Sequence, residues 1–311
     1  MKSLNEQVKE VMAAKMSQKA KRDELVKIGL SQTDINTLFF IEKQAKKQGK
    51  KAEKTLADII KNYTFGVEIE CYNAPRQLLL AAANRKGLAM QSEGYNHTDN
   101  RRYYKLVSDC SIRGTDPVEC VSPILKGDHT GFDSLQACCE ALNEIDARVN
   151  RSTGLHVHVG GNISERQYCN TFVNYYRLER AIDGFMADSR QDAQYASALH
   201  GTTNRPQVNT RLLIQALTHG DIEIAFHGDR YFKINCDSWQ RHGTIEFRQH
   251  GGTTDYDKIS HWAKFCIKLV AWSADNRLKS DIDTIDGIPF LTDEEKAYFK
   301  GRKAALRGEA A

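Results

Sequence analysis

Acidic and imidazole side chains recur at every second position of several short stretches, and that spacing carries chemistry. In Phe65-Gly66-Val67-Glu68-Ile69-Glu70-Cys71, apolar residues alternate with Gly66, Glu68 and Glu70. A strand points residues i and i+2 to one side, so the two glutamates share a face with Cβ atoms about 6.6 Å apart. There they repel by ~2.5 kcal/mol at an effective dielectric of 20, and a concave site holding both calls for a cation. Leu155-His156-Val157-His158-Val159 puts two imidazoles on one side. Thr244-Ile245-Glu246-Phe247-Arg248-Gln249-His250 is read with Glu246, Arg248 and His250 together and Ile245 and Phe247 inward. Asp109 and Ser111 share a side in 105–111, and Glu119 stands in Pro117-Val118-Glu119-Cys120-Val121.

Any one of these is an ordinary half-exposed antiparallel strand. Together they are not: a solvated face would use Lys, Thr, Ser and Gln freely, whereas this set is Glu68, Glu70, Glu119, His156, His158, Glu246 and Arg248. Carboxylates outnumbering imidazoles, with no cysteine ligand pattern, suit Mg²⁺ or Mn²⁺ better than structural zinc. A catalytic zinc held by two His and a Glu stays an alternative, without an HExxH to support it. Arg230 and Arg248 each offer a planar fork to phosphate or carboxylate. No GxxxxGK[ST] loop is present, so metals and arginines would carry any nucleotide phosphates.

The elements that must position these residues follow from periodicity. Strands are expected at 63–72, 105–112, 118–124, 155–160, 231–236 and 244–250, and helices at 76–85, 132–149, 164–186, 209–218, 255–278 and from 293 to about 306 after a Thr292 cap. The connections do not read as regular βαβ units, so an α+β domain with a largely antiparallel sheet is expected.

Residues 1–62 differ. They carry 14 Lys+Arg against 8 Asp+Glu, or +6, while the remainder of the 311-residue chain carries 30 against 32, or −2. They read as helices, with a capping-box-like start at Ser31 before Asp34 and with Ile35, Leu38, Phe39 and Glu42 at helical spacing. Helix, Gly-containing turn and helix with basic residues nearby also describe a DNA-binding helix-turn-helix. A helical arm packing on the main domain or another subunit is the favoured reading, because no base-reading pattern stands out. Lys46–Lys54 is read as a polar hinge.

The chain is 41% hydrophobic and 27% charged, which excludes a disordered chain. Its longest aliphatic stretch, 78–83, is far short of the ~20 residues of a membrane helix. Met1-Lys2-Ser3-Leu4-Asn5-Glu6 has an acid where a signal peptide would be apolar. The eight cysteines show no CxxC pair. Reduced, mostly buried thiols and a cytoplasmic location are expected.

Taken in order, 65–70, Ser108-Asp109-Cys110-Ser111-Ile112, 118–125, Thr153-Gly154-Leu155-His156-Val157-His158-Val159, Arg230-Tyr231-Phe232-Lys233-Ile234-Asn235 and 244–248 resemble the amidoligase family of glutamine synthetase-like carboxylate–amine ligases. The resemblance covers roughly 63–254, with Cys110, Thr153 and Asp116-Pro117 as departures from the family's usual residues. It implies a glutamine synthetase-like curved antiparallel sheet with helices on its convex face. ATP and two or three Mg²⁺ or Mn²⁺ ions would lie on the concave face. By motif, Glu68, Glu70, Glu119, His156 and Glu246 are the implied metal ligands. His158, Arg248, Lys233 and Asn235 are the implied nucleotide-binding residues.

The function this implies is ATP-dependent amide or isopeptide formation through an acyl phosphate. Arg248 and Arg230 would be catalytic and Asp109 the candidate base. The carboxylate substrate could be an amino acid, a small metabolite or a peptide, joined to an amine. A metal-dependent hydrolase, and an inactive member acting in nucleic-acid binding or assembly through the basic helices, are the alternatives. The domains are then expected at 1–62 (a basic helical extension for homo-oligomer or protein docking), 63–280 (catalytic) and 281–311 (a helical tail).

Overall fold

A computed structural model describes residues 4–14, 16–32, 35, 36, 39, 60–94, 102–201 and 206–308. The chain forms two compact units, Met1–Thr55 and Leu56–Ala311. The first contains α1 (Leu4–Ala13) and α2 (Gln18–Lys27). Its small core is Leu25, Ile35 and Phe39, with Val8, Val11, Met12, Ile28 and Leu30 against it. Asp34, Leu38, Glu42 and the expected hinge at Lys46–Lys54 lie outside the described residues.

The second unit is built on one open sheet. Its strands are β1 (Tyr63–Cys71), β2 (Met90–Ser92), β3 (Tyr104–Val107), β4 (Val118–Val121), β5 (Leu125–Lys126), β6 (Gly154–Gly161), β7 (Ile234–Asn235) and β8 (Ile245–Gly251). Their order is β2-β3-β4-β1-β6-β8-β7, with β5 also on β1. Among the described strands only the β2–β3 pair is parallel. Alternation in β1 sends Phe65, Val67, Ile69 and Cys71 into the core. Leu155, Val157 and Val159 of β6, and Ile245 and Phe247 of β8, are buried with them. Burying one face of each strand fixes register, because a slip by one residue would expose the apolar set.

That face is covered by helices: α3 (Arg76–Arg85), α4 (His129–Glu144), α5 (Glu165–Asp183) and α9 (Tyr256–Trp272), the last packing on β1 and β6. Local chemistry starts them. Asp128 caps α4 through the Thr130 amide (3.0 Å), Ser164 caps α5 through Gln167 (3.2 Å) and Asp255 caps α9 through Asp257 (2.9 Å). Three short helices, α6 (Thr210–Gln215), α7 (His219–Ala225) and α8 (Ser238–His242), lie between α5 and β8 in the chain. The expected helix from 293 is α10 (Asp293–Arg307), opened by a Thr292/Glu295 capping box. Within 281–308, Ile285, Ile288, Phe290, Leu291 and Phe299 join the main core. All eight cysteines are free thiols and only Cys110 is exposed. No helix among the described residues is long and apolar enough to cross a membrane.

Several expected elements change. The strand expected over 105–112 ends at Val107, and Asp109 sits in the following turn, where its carboxylate accepts the Ser111 amide (2.7 Å). The strand expected over 231–236 shrinks to Ile234–Asn235. Asp116, one of the departures from the family pattern, has φ +45°, a region Asp tolerates better than most residues.

The largest change is at His250. Leu155 pairs with His250 and Val157 with Phe247, so Arg248 and Gln249 together oppose the single residue His156. This β-bulge reverses the alternation beyond it. Arg248 stays with Glu246, whereas His250 turns to the helix layer and lies against Trp262, ring centroids 5.9 Å apart. Burial, helped by Arg302, Arg190 and Lys258, lowers its pKa to about 3 against the pull of the Gly251 carbonyl. A ring kept neutral in the fold and protonated in the unfolded chain makes stability rise with pH. The contribution is complete above about pH 6.5 and shrinks by up to ~1.4 kcal/mol per pH unit as pH falls toward 3. Chemical unfolding at pH 7 and pH 5 should therefore show a smaller loss of stability in His250→Gln than in the wild type; equal losses would contradict this assignment.

Candidate active site

On the sheet face opposite the helices, four adjacent strands bring the predicted acids and imidazoles together. Glu68 pairs with His156 across β1–β6, Glu70 with Glu119 across β1–β4, and His158 with Glu246 across β6–β8. Asn235 pairs with Glu246 from β7. These residues line a cleft of about 490 Å³.

Inside it, His156 Nδ1 bonds Glu68 Oε2 at 2.9 Å and lies 3.7 Å from Glu246 Oε1, while its Nε2 is 3.6 Å from Glu70 Oε1. One imidazole thus touches three carboxylates. Glu70 also accepts the Gly154 amide (2.6 Å), and Asn235 donates to Glu246 (2.6 Å). His158 Nδ1 bonds Thr244 Oγ1 at 3.0 Å. Its Nε2 is buried without a hydrogen-bond partner, 3.4 Å from Glu68 and 4.0 Å from Glu246. The Arg248 guanidinium pairs with Glu246 and donates through Nε to the Tyr195 carbonyl (3.1 Å).

The carboxyls are pulled in opposite directions. Burial would raise Glu68, but contacts from His156 and His158 hold it well below the usual carboxylate range. Burial would raise Glu246 as well, yet the charge of Arg248 and both imidazoles bring it down to about 2. Glu119 goes the other way: burial, then the charges of Glu68, Glu70 and Asp109, push it well above the ordinary range. Burial would lower His158, but Glu246 and Glu68 raise it.

Two sets of ligand atoms converge to within 4.8 Å, Glu68–His156–Glu246 and Glu70–Glu119–His156. Oxygen-rich sets with one imidazole each match the preferences of Mg²⁺ or Mn²⁺. The unpartnered His158 Nε2, and a Glu119 carboxyl that ionises only against its neighbours' charge, both fit the presence of a cation.

Arg230 and Asp109 also line the cleft. Arg230 lies over the Tyr231 ring at 5.1 Å, and its Nε is buried without a partner. Lys233, expected at the nucleotide, is not in the cleft. It precedes the shortened β7, so strand alternation does not reach it, and its fully buried ammonium is held by Glu179 (2.8 Å) and Asp183 (2.7 Å) of α5. Arg190, not expected from the sequence, donates to the carbonyls of Arg248 (2.9 Å) and Gln249 (3.0 Å) and lines the cleft. Tyr195, Arg241 and His242 line it too, equally unexpected. They come from loops and a five-residue helix that carry no hydrophobic period.

Residues 61–270 match the family model described as "putative amidoligase enzyme". That stretch is more than half of the chain and holds every strand of the sheet: the protein belongs to the amidoligase family. Among curated proteins no match is found.

A cation held by these groups stabilises the folded protein by mass action, about 2.7 kcal/mol at a hundredfold excess over Kd. Titrating Mn²⁺ should raise the melting temperature of the wild type and do so much less in Glu68→Gln, whose fold should persist. An equal rise in both would remove Glu68 from the ligand set.

Proposed function

We propose that the protein is an ATP-dependent carboxylate–amine ligase that forms an amide or isopeptide bond through an acyl phosphate. The observation that carries this reading is the convergence of Glu68, Glu70, Glu119, His156 and Glu246 beside the Arg248 fork in one cleft; family membership supports the ligase class. Glu68, His156 and Glu246 would hold one divalent ion and Glu70, Glu119 and His156 another. Bound there, Mg²⁺ or Mn²⁺ supplies neutralisation of phosphate charge.

The chain's own residues do the rest. Arg248 is held in place by Glu246 and the Tyr195 carbonyl, and with Arg230 it binds the oxygens of the transferring phosphoryl, where negative charge gathers. A substrate carboxylate oxygen attacks the γ-phosphorus of ATP and the bond to ADP breaks. An amine nitrogen then attacks the acyl carbon, inorganic phosphate departs, and Asp109 takes the proton the amine loses. His158 and Asn235 flank the nucleotide end, whereas Lys233 acts from the helix layer, outside the reaction. The carboxylate is an amino acid, a small metabolite or a peptide.

The direct test is a screen of carboxylates and amines for ADP release with Mg²⁺ or Mn²⁺, products identified by mass. A product heavier by the condensed amine, formed only with ATP, is expected. Bond cleavage without ATP would instead establish a metal-dependent hydrolase on the same residues.

Arg248→Lys keeps the charge and loses the fork. Since one oxyanion donor is worth ~2.7–4 kcal/mol, kcat should fall on the order of 10² to 10³. A rate near that of the wild type would make Arg248 a structural partner of Glu246 only.

A further inference from the structure

The first unit lies wholly before the family match, so the ligase chemistry leaves it unexplained. Its described residues have the connectivity of a helix-turn-helix. Ser17 caps α2 through the Ala20 amide (3.2 Å). At the other end the Leu30 amide returns to the Leu25 carbonyl (3.1 Å), and Gly29 takes φ +94°. This is a Schellman ending, which needs glycine at that position and draws Leu30 back toward Leu25. A second helical stretch starts at once. Gln32, Ile35, Asn36 and Phe39 are helical, and the Ile35 amide donates to the Ser31 carbonyl (3.0 Å).

The two helical pieces are locked together. Leu25, Ile35 and Phe39 share one core. Arg22 of α2 donates to Asn36 Oδ1 (2.7 Å) and lies over the Phe39 ring at 4.6 Å. The turn between them is four residues with a glycine, the length and composition of DNA-binding helix-turn-helix units. Gln32 and Asn36, in the first turns of the second piece, are exposed. That is where such units contact base edges, and carboxamides bond adenine N6 and N7. Lys19 and Lys27 are exposed on α2, the piece that crosses the phosphate backbone in these units. Residues 1–55 hold 13 Lys+Arg against 7 Asp+Glu, a charge that matches a polyanion.

We infer that the first unit, through α2, the turn at Gly29 and the helical residues Gln32, Ile35, Asn36 and Phe39, docks on duplex DNA as a helix-turn-helix does, with α2 against the phosphates and Gln32 and Asn36 toward base edges. The inference does not rest on the ligase reading and survives if that reading fails.

The test uses the full-length protein and a fluorescent 24-base-pair duplex of random sequence. Anisotropy should show binding in 50 mM salt that weakens at least tenfold by 200 mM, as counterion release requires. Lys19→Glu combined with Lys27→Glu should weaken binding at least tenfold at 100 mM salt, with helix content by circular dichroism and divalent-ion binding unchanged. Selection from randomised duplexes should enrich a motif with the wild type and lose it with Gln32→Ala plus Asn36→Ala. Absence of binding in 50 mM salt would overturn the inference. So would binding that Arg248→Ala or excess ATP abolishes and the lysine reversals leave intact, since the duplex would then occupy the arginines of the cleft.

Discussion

The pairing of Glu68 with His156 across the two central strands is the constraint on which the site depends. It is fixed from behind: Val67 and Ile69 lie buried on either side of Glu68 in the chain, and Leu155 and Val157 on either side of His156. The hydrophobic effect therefore sets a register that electrostatics then uses. Once Glu68 meets His156, the same imidazole lies near Glu70 and Glu246, and Glu119 arrives opposite Glu70 through the neighbouring pair. Four carboxyls crowd around two imidazoles and one arginine. The fold relieves part of the repulsion by pushing Glu119 toward its protonated form, a state a divalent cation would reverse.

Much of this was legible in the sequence because strand alternation has a period of two and leaves a visible trace. Glu68, Glu70, His156 and His158 sit in strands long enough for the pattern to hold, and each faces the cleft as the alternation requires. Asp109 and Lys233 fall just past the ends of short strands, where alternation no longer decides direction. Asp109 reaches the cleft from a turn, and Lys233 turns to the helices. Arg190, Tyr195 and Arg241 carry no trace, since their placement depends on tertiary contacts of loops and short helices. The arm's turn at Gly29 was also visible, but the lock formed by Leu25, Ile35 and Phe39 depends on tertiary contacts that leave no trace in the spacing.

The bulge in β8 explains why one alternating segment failed while its neighbours held. A sequence shows seven residues; it does not show that two of them oppose one on the partner strand. The extra residue is Gln249, and the surrounding side chains stabilise it. Its side chain is held by Tyr175 and Asp183, while its carbonyl and that of Arg248 accept from Arg190. Without those partners the bulged backbone and a buried carboxamide would lack hydrogen bonds, at about 1–3 kcal/mol for each unsatisfied group.

This ties the two layers together. Asp183 accepts from Gln249 on the bulge and also pairs with Lys233, whose carbonyl receives the Arg248 amide at 2.8 Å. Lys233 is buried completely, which is unfavourable for an ammonium unless it is paired, and Glu179 and Asp183 supply the pairing. Replacing the network with apolar groups could preserve packing, but it would leave nothing to hold the bulge, and a regular β8 would turn His250 to the opposite side of the sheet. His250 would then leave Trp262 for the face of the acids, while Arg248 would stay beside Glu246. The buried ions behind the sheet thus act through geometry: they hold the irregularity that keeps His250 in the helix layer, off the face that carries the four carboxyls.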